Sequence, residues 1–475
     1  MPASDFGSLY VASEWVIRLV MLLYIPQRRS AAAARTWLLL VFLLPWAGVA
    51  LYALFGRIYM PKKRIEMQAR ASALILEVQG QMPPQSVWQG EGLPDYLRPL
   101  PGWAASLGDF RAFPGNRVEL LTDYRGMLER LIADIEAARR HVHLLFYIIE
   151  DDASGRAVGA ALERARLRGV VCRVLMDAVG SSTALKRLAP AWRTAGIEVR
   201  ATLPVGVFRR NAARFDLRNH RKLAVIDGRI GYTGSQNLVN PEFVPDLPNV
   251  ELTARIEGSV VSQLQAVFLG DRYFETGETL QDDDHFPIDI PPGDTPLQLL
   301  PSGPGYQREN AEECLLGLIY AAREEIVIAT PYFVPDDAFL QALRLAARRG
   351  VNVRLIATQR SNSRLTHLAQ QSFYEELLEA GVKISLYRSG HLHAKHLSFD
   401  RRIGVVGSTN IDIRSFELNA EVMLLIYDAA VTARLRDIQA TYEADAEPVL
   451  LSVWRQRPAW LRIAQNVAKL ADKLL

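Results

Sequence analysis

One block of this chain occurs twice, and that duplication constrains the fold more than any other feature. "ALERARLRGVVCRVLMD" (161–177) aligns with "ALRLAARRGVNVRLIAT" (342–358), each reading as an amphipathic helix, a glycine and a β-branched strand. Upstream, "EAARRHVHLLFYIIEDD" (136–152) matches "YAAREEIVIATPYFVPDD" (320–337); downstream, "AGIEVR" (195–200) matches "AGVKIS" (380–385). Helices alternating with short apolar strands predict an α/β/α unit in each copy, a sheet covered by helices. With 49% hydrophobic residues, a chain of 475 can fill two such cores.

Both copies close on the same polar pattern. The first, "NHRKLAVIDGRIGYTGSQN", supplies His220, Lys222, Asp227, Ser235 and Asn237; the second, "HAKHLSFDRRIGVVGSTN", supplies His393, Lys395, Asp400, Ser408 and Asn410, every position offset by 173 residues. A single H-x-K-x4-D is a weak signal. Two, each inside a matching repeat and each followed at equal spacing by G-S-x-N, are a specific one. The pattern resembles the phospholipase D superfamily, and that resemblance implies two halves facing one another around a single active site.

The residue types suit chemistry at a phosphodiester. Residues two apart on a strand share a face, so each half offers an imidazole and an ammonium to one spot, while His396 points the other way. One histidine, neutral, can attack phosphorus while the other, protonated, serves the leaving alkoxide. Lys222 and Lys395, with Ser235, Asn237, Ser408 and Asn410, are expected to hold the non-bridging oxygens. Lys395 shares a face with His391 and His393 and opposes a bound dication, so neither a metal nor another cofactor is expected. The resemblance also implies a downstream carboxylate orienting each histidine; Glu251 lies 31 residues after His220, and Glu421 lies 28 after His393. Asp227 and Asp400 complete the candidate catalytic set, although their place before "GR" and "RR" also reads as turn-fixing.

The N-terminus predicts a membrane anchor. Thr36 to Phe55 is 20 residues without a charge, enough to cross the hydrocarbon layer as a helix. Leu9 to Ile25 is shorter and carries Glu14 and Arg18, four apart and able to pair on one helical face. Two crossings are the expectation, with Pro45 and Gly48 leaving a turned-back hairpin as the alternative. Arg57, Lys62, Lys63 and Arg64 follow the second segment, which favours a cytoplasmic catalytic region. Cys172 and Cys314 sit in apolar runs and read as buried thiols in a reducing compartment.

The anchor, the repeats, "FYI" (146–148), "PSGPG" (301–305) and "TPYFVPDD" together resemble bacterial cardiolipin synthases of the phospholipase D type. The implied reaction moves a phosphatidyl group from one phosphatidylglycerol to another through a phosphohistidine and releases glycerol. The implied nucleophile is His220, with His393 as general acid and then base, although the near-symmetry of the repeats leaves their order open. The implied place is the bacterial inner membrane. A membrane-bound hydrolase giving phosphatidic acid would use the same residues, and a lipid-binding scaffold would not need both H-x-K pairs intact. A formal charge of +3 is too weak to argue for nucleic acid, yet it suits an anionic bilayer. The oligomeric state stays open, a homodimer being compatible.

The reading divides the chain into a membrane anchor (1–60), a linker (61–115), a first half (116–290), a second half (291–450) and a C-terminal amphipathic helix (451–475). The first half carries an insertion before its histidine, 23 residues between Gly196 and His220 against 11 between Gly381 and His393. Phe208, Arg209, Arg210 and Phe215 in that insertion mix aromatic and basic character, as a loop gripping anionic head groups would. In "PAWLRIAQNVAKLADKLL", apolar residues at helical spacing oppose Arg462, Lys469 and Lys473, which fits either the bilayer surface or packing on the domain.

Overall fold

The computed structural model describes residues 3–29, 31–56, 60, 62–83, 86–205, 216–280, 285–287, 292–306 and 309–470. It divides into two compact units, Met1–Met60 and Pro61–Leu475. Phe208, Arg209, Arg210 and Phe215 lie outside the described residues.

In the first unit the two apolar segments differ from expectation. Gly7–Tyr24, within the helix Ala3–Tyr24, is the stretch long and apolar enough to cross a membrane among the described residues. The second segment breaks into Ala31–Leu43 and Pro45–Leu51, followed by a π-helical turn at Tyr52–Gly56. Pro45 has no N–H to continue the ladder, and Leu44 leaves the helical region at φ −133° and ψ 78°. The chain then turns back so tightly that a Cβ on Gly48 would lie 2.7 Å from Val41 Cα, so only glycine fits there. Arg18 and Glu14 do pair, at 3.3 Å.

The second unit is built on one 15-stranded sheet. The first half contributes β1 (Phe113–Leu121), β2 (His141–Phe146), β3 (Val171–Asp177), β4 (Glu198–Thr202), β5 (Lys222–Ile226), β6 (Ile230–Gly234) and β7 (Thr253–Glu257). The second contributes β8 (Thr295–Ser302), β9 (Glu325–Thr330), β10 (Asn352–Thr358), β11 (Lys383–Tyr387), β12 (His396–Phe399), β13 (Ile403–Gly407), β14 (Glu421–Ile426) and β15 (Ala446–Pro448). The spatial order is β1-β7-β6-β5-β2-β3-β4 in the first half and β8-β14-β13-β12-β9-β10-β11-β15 in the second, so seven strands match in order, β15 is an added edge strand, and the halves join through β1 and β8.

Repeated local devices explain why repeated sequence gives repeated structure. Asp152 and Asp336 each accept a backbone N–H two residues into the following helix, from Gly155 and Phe339, and so fix both N-termini. Gly169 and Gly350, at φ +89° and +93°, end those helices in the left-handed region that other residues avoid. The faces of the sheet bury separate clusters. One contains Leu144, Val174 and Leu162 of the first half, another Ile328, Leu355 and Leu343 of the second. A third, with Leu145, Leu223, Val327 and Val406, is shared, so the halves fold as one body.

Much of the stretch 61–115, which the sequence presents as a linker, is built into regular structure and core. It forms helices Lys62–Gly80 and Leu100–Gly108, and Leu93, Leu97, Leu100, Ala104 and Leu107 enter the core of the second half. Cys172 and Cys314 are free and buried.

Candidate active site

The two H-x-K segments enter the site by pairing with the opposite half. His220 N–H donates to Ala420 O at 2.9 Å, and His393 N–H donates to Val250 O at 2.8 Å. Ala420 and Val250 are the residues immediately before Glu421 and Glu251. Each glutamate is therefore delivered to the other half's imidazole: His220 Nδ1 lies 2.8 and 3.0 Å from the Glu421 oxygens, and His393 Nδ1 lies 2.6 Å from Glu251 Oε1. Linear spacing pairs Glu251 with His220 and Glu421 with His393; the fold crosses them. With Nδ1 engaged in both rings, Nε2 of each is the nitrogen not committed to a glutamate.

The lysines follow the same symmetry. Lys222 Nζ donates to His220 O at 2.6 Å, and Lys395 Nζ donates to His393 O. Both lysines are only 2% exposed. Burial, modified by the nearby carboxylates and, for Lys222, by Lys395, pushes Lys222 down to about 7 and Lys395 down to about 8. His220 is pushed well below its usual value by burial, then by Lys222 and Lys395; His393 falls to about 4, by burial first. Each imidazole thus feels the lysine of the opposite half, as groups lining one pocket do. His396 points away, with its Nδ1 3.1 Å from Gln439 Nε2.

The glutamates differ. Burial opposes ionisation of Glu251, but His393, Lys395 and Ser235 outweigh it and hold the carboxyl at about 2. Burial dominates at Glu421 and raises it to about 7.

Other expected residues have other duties. Ser408 Oγ donates to Glu421 Oε2 and accepts Val422 N–H, and Ser235 Oγ accepts Leu252 N–H at 3.0 Å, so both serines brace the segments bearing the glutamates. Asn237 Oδ1 accepts Ile148 N–H at 3.1 Å, which turns the amide's donor end the other way. Asn410 sits beside Ser408, 6% exposed. Asp227 and Asp400 are not at the imidazoles. They lie past the far ends of β5 and β12, at φ +54° and +49°, where Asp227 accepts N–H groups of Arg139, Arg140 and His141, and Asp400 those of Arg323, Glu324 and Glu325. Instead of a catalytic role at the imidazoles, Asp227 and Asp400 have a structural one, anchoring the starts of β2 and β9.

Two further side chains stand close to His220. Tyr147, at the end of β2, places its ring 4.8 Å from the His220 ring and 5.3 Å from Lys222 Nζ. Its signal was the repeat itself, because Tyr332 holds the matching place after β9, 5.9 Å from the His391 ring. Arg221, between His220 and Lys222, is buried. It pairs with Asp271 at 2.6 and 2.7 Å, and its Nε and Nη2 donate to Glu421 O and Ser302 O, both at 3.0 Å.

Residues 131–272 and 315–441 match the family described as "Cardiolipin synthase, PLD-like domain". Cardiolipin synthase A of Pectobacterium carotovorum subsp. carotovorum is 36% identical over 490 residues, covering 99% of this chain and 97% of the relative. The chain belongs to the cardiolipin synthases of the phospholipase D superfamily. Cardiolipin synthase A of Yersinia pseudotuberculosis serotype O:3 is 35% identical over 99% of this chain and 98% of its own length. Among solved structures, a phosphatidylserine synthase of Haemophilus influenzae shares the fold at TM-score 0.59 and 16% identity, over 80% of this chain and 99% of that one. As a cardiolipin synthase, the protein is a phosphatidyltransferase that makes cardiolipin from phospholipids at a membrane.

Proposed function

We propose that the synthase joins two phosphatidylglycerol molecules by double displacement, with His220 as nucleophile and His393 as acid and then base. His220 Nε2 attacks the phosphorus of the first lipid. A P–N bond forms, the bond from phosphorus to the glycerol oxygen breaks, and His393 gives that oxygen its proton. His393 then takes the proton from a glycerol hydroxyl of the second phosphatidylglycerol. That oxygen attacks phosphorus, the P–N bond breaks, and cardiolipin leaves. Lys222 and Lys395 hold the non-bridging oxygens through both steps.

The observation that carries this reading is the pair of crossed His–Glu contacts, which leaves two Nε2 atoms for one phosphodiester. The unequal glutamates support the order. An imidazolium is stabilised by an anion, and Glu251 is held ionised beside His393, whereas burial works against the charge of Glu421 beside His220. His393 is the better-supported acid, and His220 the neutral nucleophile. Burial pushes both imidazoles down; a bound phosphodiester would bring the negative charge that raises their basicity and lets one carry a proton.

The site is read as facing the cytoplasm at a bacterial inner membrane, an orientation supported by the basic run at residues 62–64. Purified enzyme with phosphatidylglycerol should yield cardiolipin and glycerol, and an alkaline quench followed by peptide mass spectrometry should find the phosphatidyl adduct on the His220 peptide. Phosphatidic acid as main product would replace transfer by hydrolysis, and an adduct on His393 would reverse the roles.

A further inference from the structure

The C-terminal helix Ala459–Lys469 is held against the domain by its less apolar side. Gln465 and Ala468 are its buried residues. Gln465 Nε2 donates to Gln371 Oε1 at 3.0 Å and its own Oε1 accepts Arg457 Nε at 2.9 Å, while Lys469 Nζ stands 4.4 Å from the Phe373 ring centre. Trp460, Ile463, Val467 and Leu470, spaced three, four and three apart, form a stripe turned to solvent with exposures of 68, 63, 60 and 83%. A helix packed only to complete the fold would roll to bury that stripe. Here polar anchors fix it facing outward.

The place of the helix indicates what covers the stripe. Gln371, its anchor, neighbours Gln370, whose Oε1 accepts Phe333 N–H at 2.9 Å; Phe333 follows Tyr332, whose ring stands 5.9 Å from His391. The helix is thus tied to the end of the sheet where the histidines lie. Other exposed apolar side chains occur at that end in both halves: Val179 after β3, Val205 after β4, Phe243 after β6 and Leu365 after β10, at 47, 46, 43 and 45% exposure. Exposed Arg360 and Arg364 stand beside Leu365 and exposed Arg462 lies on the helix itself, while exposed Glu242 and Asp246 flank Phe243. A second copy of the chain would call for a compact, self-complementary patch. Apolar residues scattered around a site mouth, interspersed with arginines and led by a tryptophan, match a bilayer with anionic head groups.

We propose that the C-terminal helix is a bilayer-docking element that seats the mouth of the active site on an anionic membrane surface. The proposal rests on the reading that the substrate is a membrane phospholipid. It gives the helix a task separate from anchoring, namely to present the catalytic unit to lipid in a fixed orientation.

Because both native cysteines are 1% exposed, single introduced cysteines can be labelled selectively. Full-length Ile463→Cys and Val467→Cys, carrying an environment-sensitive fluorophore, are reconstituted in phosphatidylcholine/phosphatidylglycerol vesicles with nitroxide-bearing lipid. Both labels should shift to the blue and be quenched about threefold, while a label at Tyr320→Cys, at the opposite end of the sheet, keeps its emission in water. Unquenched labels at 463 and 467, or equal quenching at 320, would overturn the proposal. The double variant Ile463→Asp/Val467→Asp should lose roughly tenfold in turnover of vesicle phosphatidylglycerol and keep its turnover in detergent micelles. Equal activity in both settings, or equal loss in both, would also overturn it. A wild-type enzyme that makes no cardiolipin in either setting would defeat the catalytic reading alone, since the label result does not depend on turnover.

Discussion

The two halves of the catalytic unit share a strand order, helix caps, strand anchors and a His–Lys pair, yet they treat the carboxylate of the crossed contact in opposite ways. Glu251, supplied by the first half, is held ionised against His393; Glu421, supplied by the second, is pushed up by burial against His220. Duplication has kept two imidazoles and two lysines, and on the proposed mechanism the unequal carboxylates would assign the histidines different roles.

The largest effects should come from the histidines themselves. His220→Ala and His393→Ala should each lower the rate of cardiolipin formation by roughly 10⁴-fold. An aryl phosphodiester, whose leaving group needs no proton, separates them: His393→Ala should regain release of the aryl alcohol and His220→Ala should not. Equal rescue of both would erase the division of roles.

The next effect concerns a residue with no counterpart. Arg221 bridges to Asp271, Glu421 O and Ser302 O, whereas the matching position in the second half is Ala394. Arg221→Met leaves the buried Asp271 carboxylate with Asn219 Nδ2 but without its cation, and should cost roughly 3 kcal/mol in a urea titration. Because Arg221 also holds the backbone of Glu421, the folded fraction should show slower formation of the phosphatidyl adduct on His220 while transfer from a preformed adduct is spared. A variant as stable as the parent would show that the bridge is idle.

The crossed contacts predict which glutamate fails with which histidine. Glu251→Gln and Glu421→Gln should each cost about 10²-fold, since the amide can no longer fix the tautomer or support the imidazolium. The aryl substrate should rescue Glu251→Gln, as it rescues His393→Ala, and leave Glu421→Gln impaired. Rescue of the opposite glutamate would restore the same-half pairing that linear spacing implies.

That crossing marks the limit of what the sequence discloses. The repeats, the H-x-K strands and the outward turn of His396 follow from spacing, because strand alternation is local. Which glutamate meets which histidine is decided by the bridge from Asn219 to Ala420 and by the parallel pairing of His391–Leu392 with Asn249–Val250, contacts between segments about as far apart as the repeats themselves. G-S-x-N could be recognised as a site motif, yet its serines turn to the glutamates, a preference set by the neighbouring strand. The break at Leu44 was signalled by Pro45 and Gly48, which offered a turned-back hairpin, while a count of apolar residues alone favours an unbroken crossing. The linker expected over 61–115 rests on the prolines and glycines that punctuate its second part, while Leu93, Leu97 and Leu107 contribute to a core assembled from elsewhere.

The smallest expected effect tests a difference on the hidden face of the matched strands. His396 on β12 occupies the place that Leu223 holds on β5. Burial pushes His396 down to about 3, and lowers the nearby His391 and His393 to about 3 and about 4. In the unfolded chain these groups take up protons near pH 6.5; in the folded chain they do so only near pH 3–4. Between those limits the unfolded state binds more protons, so stability is fully present above about pH 6.5 and declines as pH falls through the window. His396→Leu makes this position resemble its first-half counterpart and removes one such proton. The pH slope of the unfolding free energy below pH 6 should flatten by about 1.4 kcal/mol per pH unit, whatever the absolute cost of the substitution. An unchanged slope would mean that His396 is protonated in the folded protein, and that the second half carries a buried cation where the first carries a leucine.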